Sequence, residues 1–278
     1  MREHIKGIDH TVIIVRELDT PKQAFTRMGF TLTPRGYNTL GAQNHCVMFG
    51  QDYLELLMVP QRLPGREYYY DFARVGDGLA AIALKTDDTL GAYGELAATG
   101  LAPSEPVDFS RPVHLPEGTK NASFRITALG LEQTPGGRMF LCQHFTRDVV
   151  WRPEYQVHAN TANGLAALAI VSNDVAATAA AYERLFDVKA KTITEGLLVD
   201  TGDTPIAVVS ERALAKRLPG VCISERRQPS MAALFIRVTS RDTAERTLRA
   251  GGLHPARMPD GSVAVGAAEA HGAAIIFG

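Results

Sequence analysis

Two side chains that commonly bind metal ions lie inside apolar, strand-like segments. His10 lies in the run from Gly7 to Val15, and Glu55 lies in the run from Asp52 to Val59. Burying an unpaired carboxylate costs roughly several kcal/mol unless a partner or a metal ion compensates its charge. The two residues are therefore predicted either to bind a divalent metal ion or to form a buried hydrogen-bonded pair.

The elements that would bring these residues together are repeated along the chain. Residues 78–88 form an apolar strand that ends in a polar turn, and residues 164–174 repeat it with six of eleven positions identical. Weaker relatives occupy 7–18 and 231–242. A helical stretch follows each copy, and glycines suited to ending a helix follow most of them. The predicted helices are 21–28, 90–99, 175–186 and 241–250.

Strand-like segments follow each helix, so the chain is predicted to fold as four βαβββ modules of the α+β class. In the first copy they cover 30–34, 44–49 and 53–59, and in the second roughly 102–109, 122–129 and 138–145. Strands that come in runs of about three between helices argue against a doubly wound α/β fold. Paired modules give two predicted domains, 1–150 and 164–278, joined by a connector at 151–163.

Composition and charge narrow the function classes. The 278 residues are 45% hydrophobic with a net charge of -1 and no basic block, so nucleic acid and anionic membranes are not expected partners. No apolar run of about 18 residues predicts a transmembrane helix, and the first residues do not resemble a signal peptide. Three scattered cysteines favour a reducing compartment, so a cytoplasmic location is expected.

Several segments, in this order and spacing, resemble the vicinal oxygen chelate superfamily and, within it, the glyoxalase-like domain proteins. The resemblance is strongest over 7–175. The segments that carry it include Gly7 to His10, Leu40 to His45, Tyr53 to Leu56, His144 to Thr146 and Trp151 to Glu154.

The resemblance implies that paired modules close into an incomplete barrel around a divalent metal ion. Ligands in this superfamily come from the first and fourth strands of the modules, which is where His10 and Glu55 lie. Its members include isomerases, epimerases, ring-cleaving dioxygenases and thiol transferases that chelate adjacent substrate oxygens. The superfamily also includes metal-free binding proteins of the bleomycin-resistance type.

The repeats indicate which module pair could hold the metal. Aligned first strands carry Ala80, Ala166 and Ala233 opposite His10, so one site is predicted, between the first two modules. The last strand of the second module offers His144 and Gln143 on opposite faces, and imidazole is the better ligand.

The predicted ligands are therefore His10, Glu55 and His144. This set suits ferrous iron, and also manganese, zinc or nickel. Glu55 could also act as a catalytic base. The second domain lacks such ligands and is predicted to be a structural domain, or the second half of a dimer-like arrangement within the chain. A homodimer of the whole chain is a further expectation.

Five further residues are candidates for binding a small-molecule substrate, with structural roles as the alternatives. Arg111 could bind a substrate carboxylate from a predicted loop that also contains His114. The other four are Asn44, His45, Trp151 and His158. The function predicted first is a metal-dependent enzyme acting on a small oxygenated metabolite or xenobiotic. The alternative is a metal-free protein that sequesters a hydrophobic compound. A third hypothesis is an interaction module whose ligand-poor half is a docking surface.

Overall fold

Two sheets of eight strands, each curved into a half-open barrel, make up the protein. The computed structural model describes all residues, 1–278. In the first sheet the strand order is β2-β3-β4-β1-β5-β8-β7-β6. Its strands are β1 (Ile8–Ile14), β2 (Gly36–Tyr37), β3 (Gln43–Met48), β4 (Tyr53–Met58), β5 (Gly78–Lys85), β6 (Val107–Leu115), β7 (Gly118–Ala128) and β8 (Arg138–His144).

The second sheet repeats this topology, with the order β10-β11-β12-β9-β13-β16-β15-β14. Its strands are β9 (Ala162–Val171), β10 (Lys191–Ile193), β11 (Gly196–Val199), β12 (Ile206–Val209), β13 (Ser230–Val238), β14 (Ala256–Arg257), β15 (Val263–Val265) and β16 (Ala274–Phe277). In both sheets the first strands of two modules pair antiparallel at the centre, and each first strand pairs parallel with its own fourth strand. The predicted α+β fold of four βαβββ modules in two barrels is confirmed.

Seven helices accompany the strands. They are α1 (Asp19–Arg27), α2 (Glu67–Val75), α3 (Thr89–Ala98), α4 (Arg147–Val150), α5 (Val175–Phe186), α6 (Glu211–Arg217) and α7 (Arg241–Ala250). The predicted helix at 175–186 has the observed bounds, because the Asp174 side chain accepts a hydrogen bond from the backbone N–H of Ala177 and caps the first turn. None of the helices is long and apolar enough to cross a membrane.

Three local features differ from the sequence predictions. Helices α2 and α6, which follow the first and third modules, were not predicted. The strand expected at 30–34 is absent, and the short β2 lies just beyond it. Arg111 and His114 lie in strand β6 rather than in a loop, because their segment pairs with β7 along its whole length.

The two barrels share one hydrophobic core. A cluster of 44 buried residues runs from Ile5 to Phe277 and includes side chains of both sheets. At the junction the rings of Phe30 and Phe277 stack with centroids 5.7 Å apart. In the segment between the sheets, His158 accepts the backbone N–H of Thr31 and bonds the carbonyl of Met48, which fixes this segment to the first barrel. The helix sides of both sheets are thus buried against each other.

Candidate functional site

A small cavity lies inside the first barrel, beneath helix α2. Its volume is about 60 Å³, which is room for a few water molecules. The residues that line it combine ionisable side chains with aromatic rings. They are His10, Asn38, Ala42, Asn44, Tyr53, Glu55, Leu57, Arg66, Tyr69, Phe109, Arg111, Phe124, Ile126, Phe140 and Cys142.

A β-bulge in strand β1 turns two neighbouring polar side chains toward one another. Ile8 pairs with Leu84 and His10 pairs with Ala83, so Asp9 is an extra residue in the ladder. In a regular strand Asp9 and His10 would point to opposite faces, and the bulge removes that alternation. The Nδ1 atom of His10 lies 2.8 Å from Asp9 Oδ1.

Asp9 holds a second imidazole with the same oxygen. His144 Nε2 lies 3.0 Å from Asp9 Oδ1. An ionised carboxylate only accepts hydrogen bonds, so both ring nitrogens donate to it. Burial alone would raise the pKa of Asp9, but the charge of His144 and the hydrogen bonds from both imidazoles outweigh it and lower the pKa. Asp9 is thus ionised and fixes two histidine rings at once.

Glu55 faces His10 from the neighbouring strand. Strands β1 and β4 run parallel, with Val12 opposite Glu55. The Asn44 amide donates to Glu55 Oε1 over 2.5 Å, and Glu55 Oε2 lies 3.6 Å from His10 Nε2. Gly36 gives Asn44 its space, because a Cβ there would lie 2.4 Å from Asn44 Oδ1. Asp9 and Asn44 therefore hold the two facing groups from behind.

Aromatic rings surround the His10 imidazole. The Tyr53 ring stacks on it at 4.1 Å, and Phe140 contacts it edge-on at 5.6 Å. Burial raises the pKa of the Tyr53 phenol well above its usual value, so the phenol is neutral. These contacts exclude water from the ring faces and leave the Nε2 edge directed to Glu55.

Two arginines supply positive charge to the cavity. Arg111 is 8% exposed, and neither Arg111 nor Arg66 forms an ion pair with a carboxylate. Burial lowers the pKa of the Arg66 guanidinium, but arginine stays protonated in proteins near neutral pH. Two guanidinium groups without anionic partners favour an anion in the cavity.

His144 lies on the inner face of the first sheet, and Gln143 lies on the outer face. The His144 ring contacts Phe124 and Trp151, whereas Gln143 accepts from the backbone N–H of Thr89 at the start of α3. His144 does not line the cavity but lies behind Asp9, and its Nδ1 has no hydrogen-bond partner.

A second group of ligand atoms therefore comes together beside the predicted one. Ligand atoms of Asp9, Cys142 and His144 lie within 4.8 Å of one another. Burial raises the pKa of Cys142 well above its usual value, and a thiol must lose its proton to bind a metal ion. The predicted set of His10, Glu55 and His144 and this buried set overlap only in His144.

The remaining predicted substrate-binding residues divide between the cavity and other positions. Asn44 and Arg111 line the cavity. His45 points to the opposite face of β3 and bonds the carbonyl of Thr33. Trp151 packs edge-on against Tyr53 outside the cavity, and both nitrogens of His158 are bonded to backbone groups at the junction between the barrels.

Sequence reasoning missed three residues of the site. Asp9 carries the same signal as Glu55, a carboxylate in an apolar strand, but of these two neighbours only His10 is predicted as a site residue. Arg66 and Tyr69 come from α2, which was not predicted. A sequence signal for α2 exists in the aromatic run at 68–72, which precedes Gly76.

Comparison with known proteins identifies the family. A family model described as a glyoxalase-like domain matches residues 8–186. A search of the curated proteins finds no match. The matched range covers the whole first barrel and continues through α5 of the second.

Solved structures share the fold at low sequence identity. A hypothetical protein from Staphylococcus aureus has a TM-score of 0.68 at 13% identity, with 98% of each chain covered. A xylose isomerase-like TIM barrel/4-hydroxyphenylpyruvate dioxygenase fusion protein has a TM-score of 0.59 at 14% identity, covering 92% of this chain and 40% of that one. A mutant of 4-hydroxymandelate synthase from Streptomyces coelicolor has a TM-score of 0.56 at 15% identity, covering 92% and 78%. The chain belongs to the glyoxalase-like domain family of the vicinal oxygen chelate superfamily.

Proposed function

We propose that the first barrel is the site of a metal-dependent enzyme that acts on a small oxygenated anion. One observation carries the proposal. His10 Nε2 and Glu55 Oε2 face each other across the cavity at 3.6 Å, and each is held from behind by a separate hydrogen bond.

The spacing of these two atoms fits a shared divalent ion. Ligand distances of about 2.0–2.2 Å keep two donors on one ion within about 4.4 Å of each other. The observed 3.6 Å lies inside this limit and is too long for a hydrogen bond. A direct hydrogen bond between His10 and Glu55 therefore does not explain why the two groups are buried together. One imidazole and one carboxylate suit iron, manganese, zinc or nickel.

The surroundings of His10 also match a metal-bound histidine. Such histidines usually donate their other ring N–H to a carboxylate, which fixes the tautomer and the ring orientation. Asp9 accepts from His10 Nδ1, so the lone pair of Nε2 is available in the cavity. The predicted third ligand, His144, lies outside the cavity with Nε2 bonded to Asp9, so it would bind the same ion only after turning away from Asp9. The alternative is that His144 only positions Asp9.

The protein side chains would bind and orient the substrate. Arg111 and Arg66 would bind its carboxylate through charge-assisted hydrogen bonds. A bound divalent ion would supply Lewis acidity that polarises adjacent substrate oxygens. Glu55 Oε2 is the atom on the cavity wall that could take a proton from the substrate, while Asn44 keeps Oε1 in place. The chemistry that fits is isomerisation, lyase or dioxygenase chemistry of the vicinal oxygen chelate type.

Metal content tests the proposal without an assay for an unidentified substrate. Protein purified without chelator from metal-supplemented medium should contain about one divalent ion per chain. His10→Ala and Glu55→Gln should lose it. His254→Ala is the matched control, because His254 also contacts a glutamate, Glu269, but is exposed. If wild type holds no more metal than the two cavity variants, the first barrel has no metal centre of this kind.

Two further variants separate the candidate ligand sets. Cys142→Ser should leave the metal content unchanged if His10 and Glu55 bind the ion, and should abolish it if Asp9, Cys142 and His144 do. His144→Ala reports whether the third predicted ligand is needed. Trp151, the one tryptophan of the chain, packs on His144, so its fluorescence checks that each variant keeps this region folded.

The metal-free alternative is a protein that sequesters a hydrophobic compound in the first barrel. Sites for drug-sized ligands have volumes of about 300–1,000 Å³. The first cavity, at about 60 Å³, is far smaller, and charged groups line it. Its size and charge therefore favour a small anionic substrate over a bulky apolar one.

A further inference from the structure

The second barrel contains a cavity roughly ten times larger than the first, about 590 Å³. This volume is in the range of sites that hold drug-sized ligands. Nine of its fourteen lining residues are hydrophobic. They include alanines on β9 and β12, Leu214 on α6 and Phe235 on β13. No ionisable side chain lies on its floor.

Small residues on the sheet create this space. Ala167, Ala169 and Ala207 point into the cavity, whereas the large rings of Tyr53 and Phe140 occupy the inside of the first barrel. Helix α6 lines the cavity with Ala213 and Leu214, which belong to the same apolar cluster as alanines of the sheet. A sheet of alanines under a short helix leaves room that the protein itself does not fill.

Charged residues stand only at the mouth of this cavity. Lys216 and Glu195 form an ion pair at 3.1 Å, and the Asp260 carboxylate accepts from Ser262. Arg217 forms no such pair, and its guanidinium lies over the Phe235 ring at 4.7 Å. The hydrogen bonds from Ser262 and, more weakly, the charge of Arg217 lower the pKa of the Asp260 carboxyl. Arg217 therefore lies near a carboxylate without forming an ion pair with it, where the apolar space opens to solvent.

We propose that the second barrel binds an amphipathic anion, namely an aromatic or aliphatic small molecule with one carboxylate or sulfonate group. The apolar body would pack against the alanine floor and Phe235. The anionic group would contact Arg217 through charge-assisted hydrogen bonds. This site needs no metal ion, and it is independent of the function proposed for the first barrel.

The shape and charge of the cavity fit a small molecule better than a second copy of this chain. A protein interface core is flat or interdigitated and depleted in charge. Here the apolar surface lies inside a barrel, and four charged residues ring the opening. A protein segment would have to bury these charges to reach the floor.

Two fluorescent probes test the proposal on the full-length protein. The anion 1-anilinonaphthalene-8-sulfonate matches the proposed chemistry, and N-phenyl-1-naphthylamine is its uncharged counterpart. Wild type should bind both probes saturably at one site. Ala167→Phe extends a ring into the space and should weaken both probes about tenfold or more, a loss of at least about 1.4 kcal/mol.

Arg217→Gln separates charge recognition from apolar binding. It should weaken the anionic probe about three- to tenfold and leave the neutral probe within about twofold. Arg212→Gln is the matched control, because Arg212 is exposed on the same helix and does not line the cavity. It should change neither probe.

Three outcomes would overturn the proposal. The first is no saturable binding of either probe to wild type. The second is unchanged binding to Ala167→Phe with a wild-type circular dichroism spectrum, which moves the probe site elsewhere. The third is probe binding that appears only when dilution dissociates a dimer, because a second copy of the chain would then fill the cavity in the dimer. If Ala167→Phe does not fold, the two arginine variants decide. The proposed contact is rejected if Arg217→Gln weakens both probes equally. It is also rejected if Arg212→Gln weakens the anionic probe as much as Arg217→Gln does.

Discussion

The first and second barrels have the same strand order but opposite interiors. The first holds Asp9, His10 and Glu55 around a cavity of about 60 Å³. The second holds alanines and apolar side chains around a space of about 590 Å³. The scaffold therefore does not determine the chemistry. A few residues on the first and fourth strands of the modules decide whether a barrel has a charged or an apolar interior.

Two differences between the first strands of the barrels explain the contrast. In β1 the bulge at Asp9 directs two polar side chains inward, and both find partners in β4 and β8. In β9 the residues at the cavity are Ala167 and Ala169. The buried polar network of the first barrel depends on hydrogen bonds for its stability, although Asp9 Oδ2 and His144 Nδ1 have no partner. The apolar interior of the second barrel has no such requirement and can remain open.

The two barrels differ inside but share one hydrophobic core, and a substitution in this core should cause the largest loss of stability. Phe277, on the last strand of the second barrel, is fully buried and stacks on Phe30 of the first. Phe277→Ala should lower the free energy of unfolding by about 3–5 kcal/mol. Trp151 fluorescence reports on the first barrel, and circular dichroism reports on the whole chain. Because one cluster joins both barrels, the variant should lower the unfolding midpoint, in denaturant concentration, by the same amount with both methods.

A control variant and an opposite outcome make this test decisive. Phe145→Ala removes an exposed ring and should change stability by about 0.5 kcal/mol or less. If Phe277→Ala gave two separate transitions and left the Trp151 transition unchanged, the barrels would be independent folding units. The contrast between their interiors would then extend to their stability.

Removing the carboxylate at the centre of the polar network should have the next largest effect. Asp9→Ala leaves the His10 and His144 ring N–H groups without their acceptor. Each unsatisfied buried donor costs about 1–3 kcal/mol, so with two donors a loss of at least about 2 kcal/mol is expected in urea unfolding at pH 8. Asp9→Asn keeps an acceptor oxygen and should lose less. A stability for Asp9→Ala within experimental error of wild type would mean that Asp9 does not hold the two rings.

Features set by residues close in sequence could be predicted, whereas features set by residues distant in sequence could not. The repeats and the helix at 175–186 depend on local signals, among them a cap at Asp174. Strand alternation places His144 and Gln143 on opposite faces, but the choice of His144 as the inward residue rests on ligand chemistry. The bulge at Asp9 depends on pairing with β5, which is distant in sequence. Alternation alone would have set Asp9 and His10 on opposite faces. It also separates Asn44 from His45, which cannot both reach the cavity.

The two unpredicted helices show the same limit. Helix α2 has nine residues and α6 has seven, and helices this short have little stability of their own. Arg226, far along the chain, lies over the Phe72 ring at 3.7 Å and donates to the carbonyl of Gly76. These long-range contacts stabilise α2 and bring Arg66 and Tyr69 to the cavity. The aromatic run at 68–72 indicates a buried segment, but it does not indicate which cavity the segment covers.

The smallest of the three expected effects concerns an acid between the barrels. Asp52, at the start of β4, accepts from the backbone N–H of Leu165 in the second barrel. Burial raises the pKa of Asp52 from 3.8 to about 6, and the hydrogen bond from Leu165 and the charge of Lys85 only partly offset this. The folded protein therefore binds this proton more tightly than the unfolded chain does. The resulting stabilisation is fully present below the unfolded pKa of 3.8 and is lost as the pH rises through about 6.

Asp52→Asn isolates this contribution, because asparagine keeps an acceptor for Leu165 but does not titrate. The unfolding free energy of wild type minus that of Asp52→Asn should fall by up to about 3 kcal/mol between pH 4 and pH 8. Denaturant titrations at several pH values measure the difference. Asp148→Asn, at an exposed position, is the matched control for the loss of one carboxyl group and should change stability by about 0.5 kcal/mol or less. A flat difference for Asp52→Asn would show that the carboxyl is solvated, and that the junction between the polar and the apolar barrel is open to water at this point.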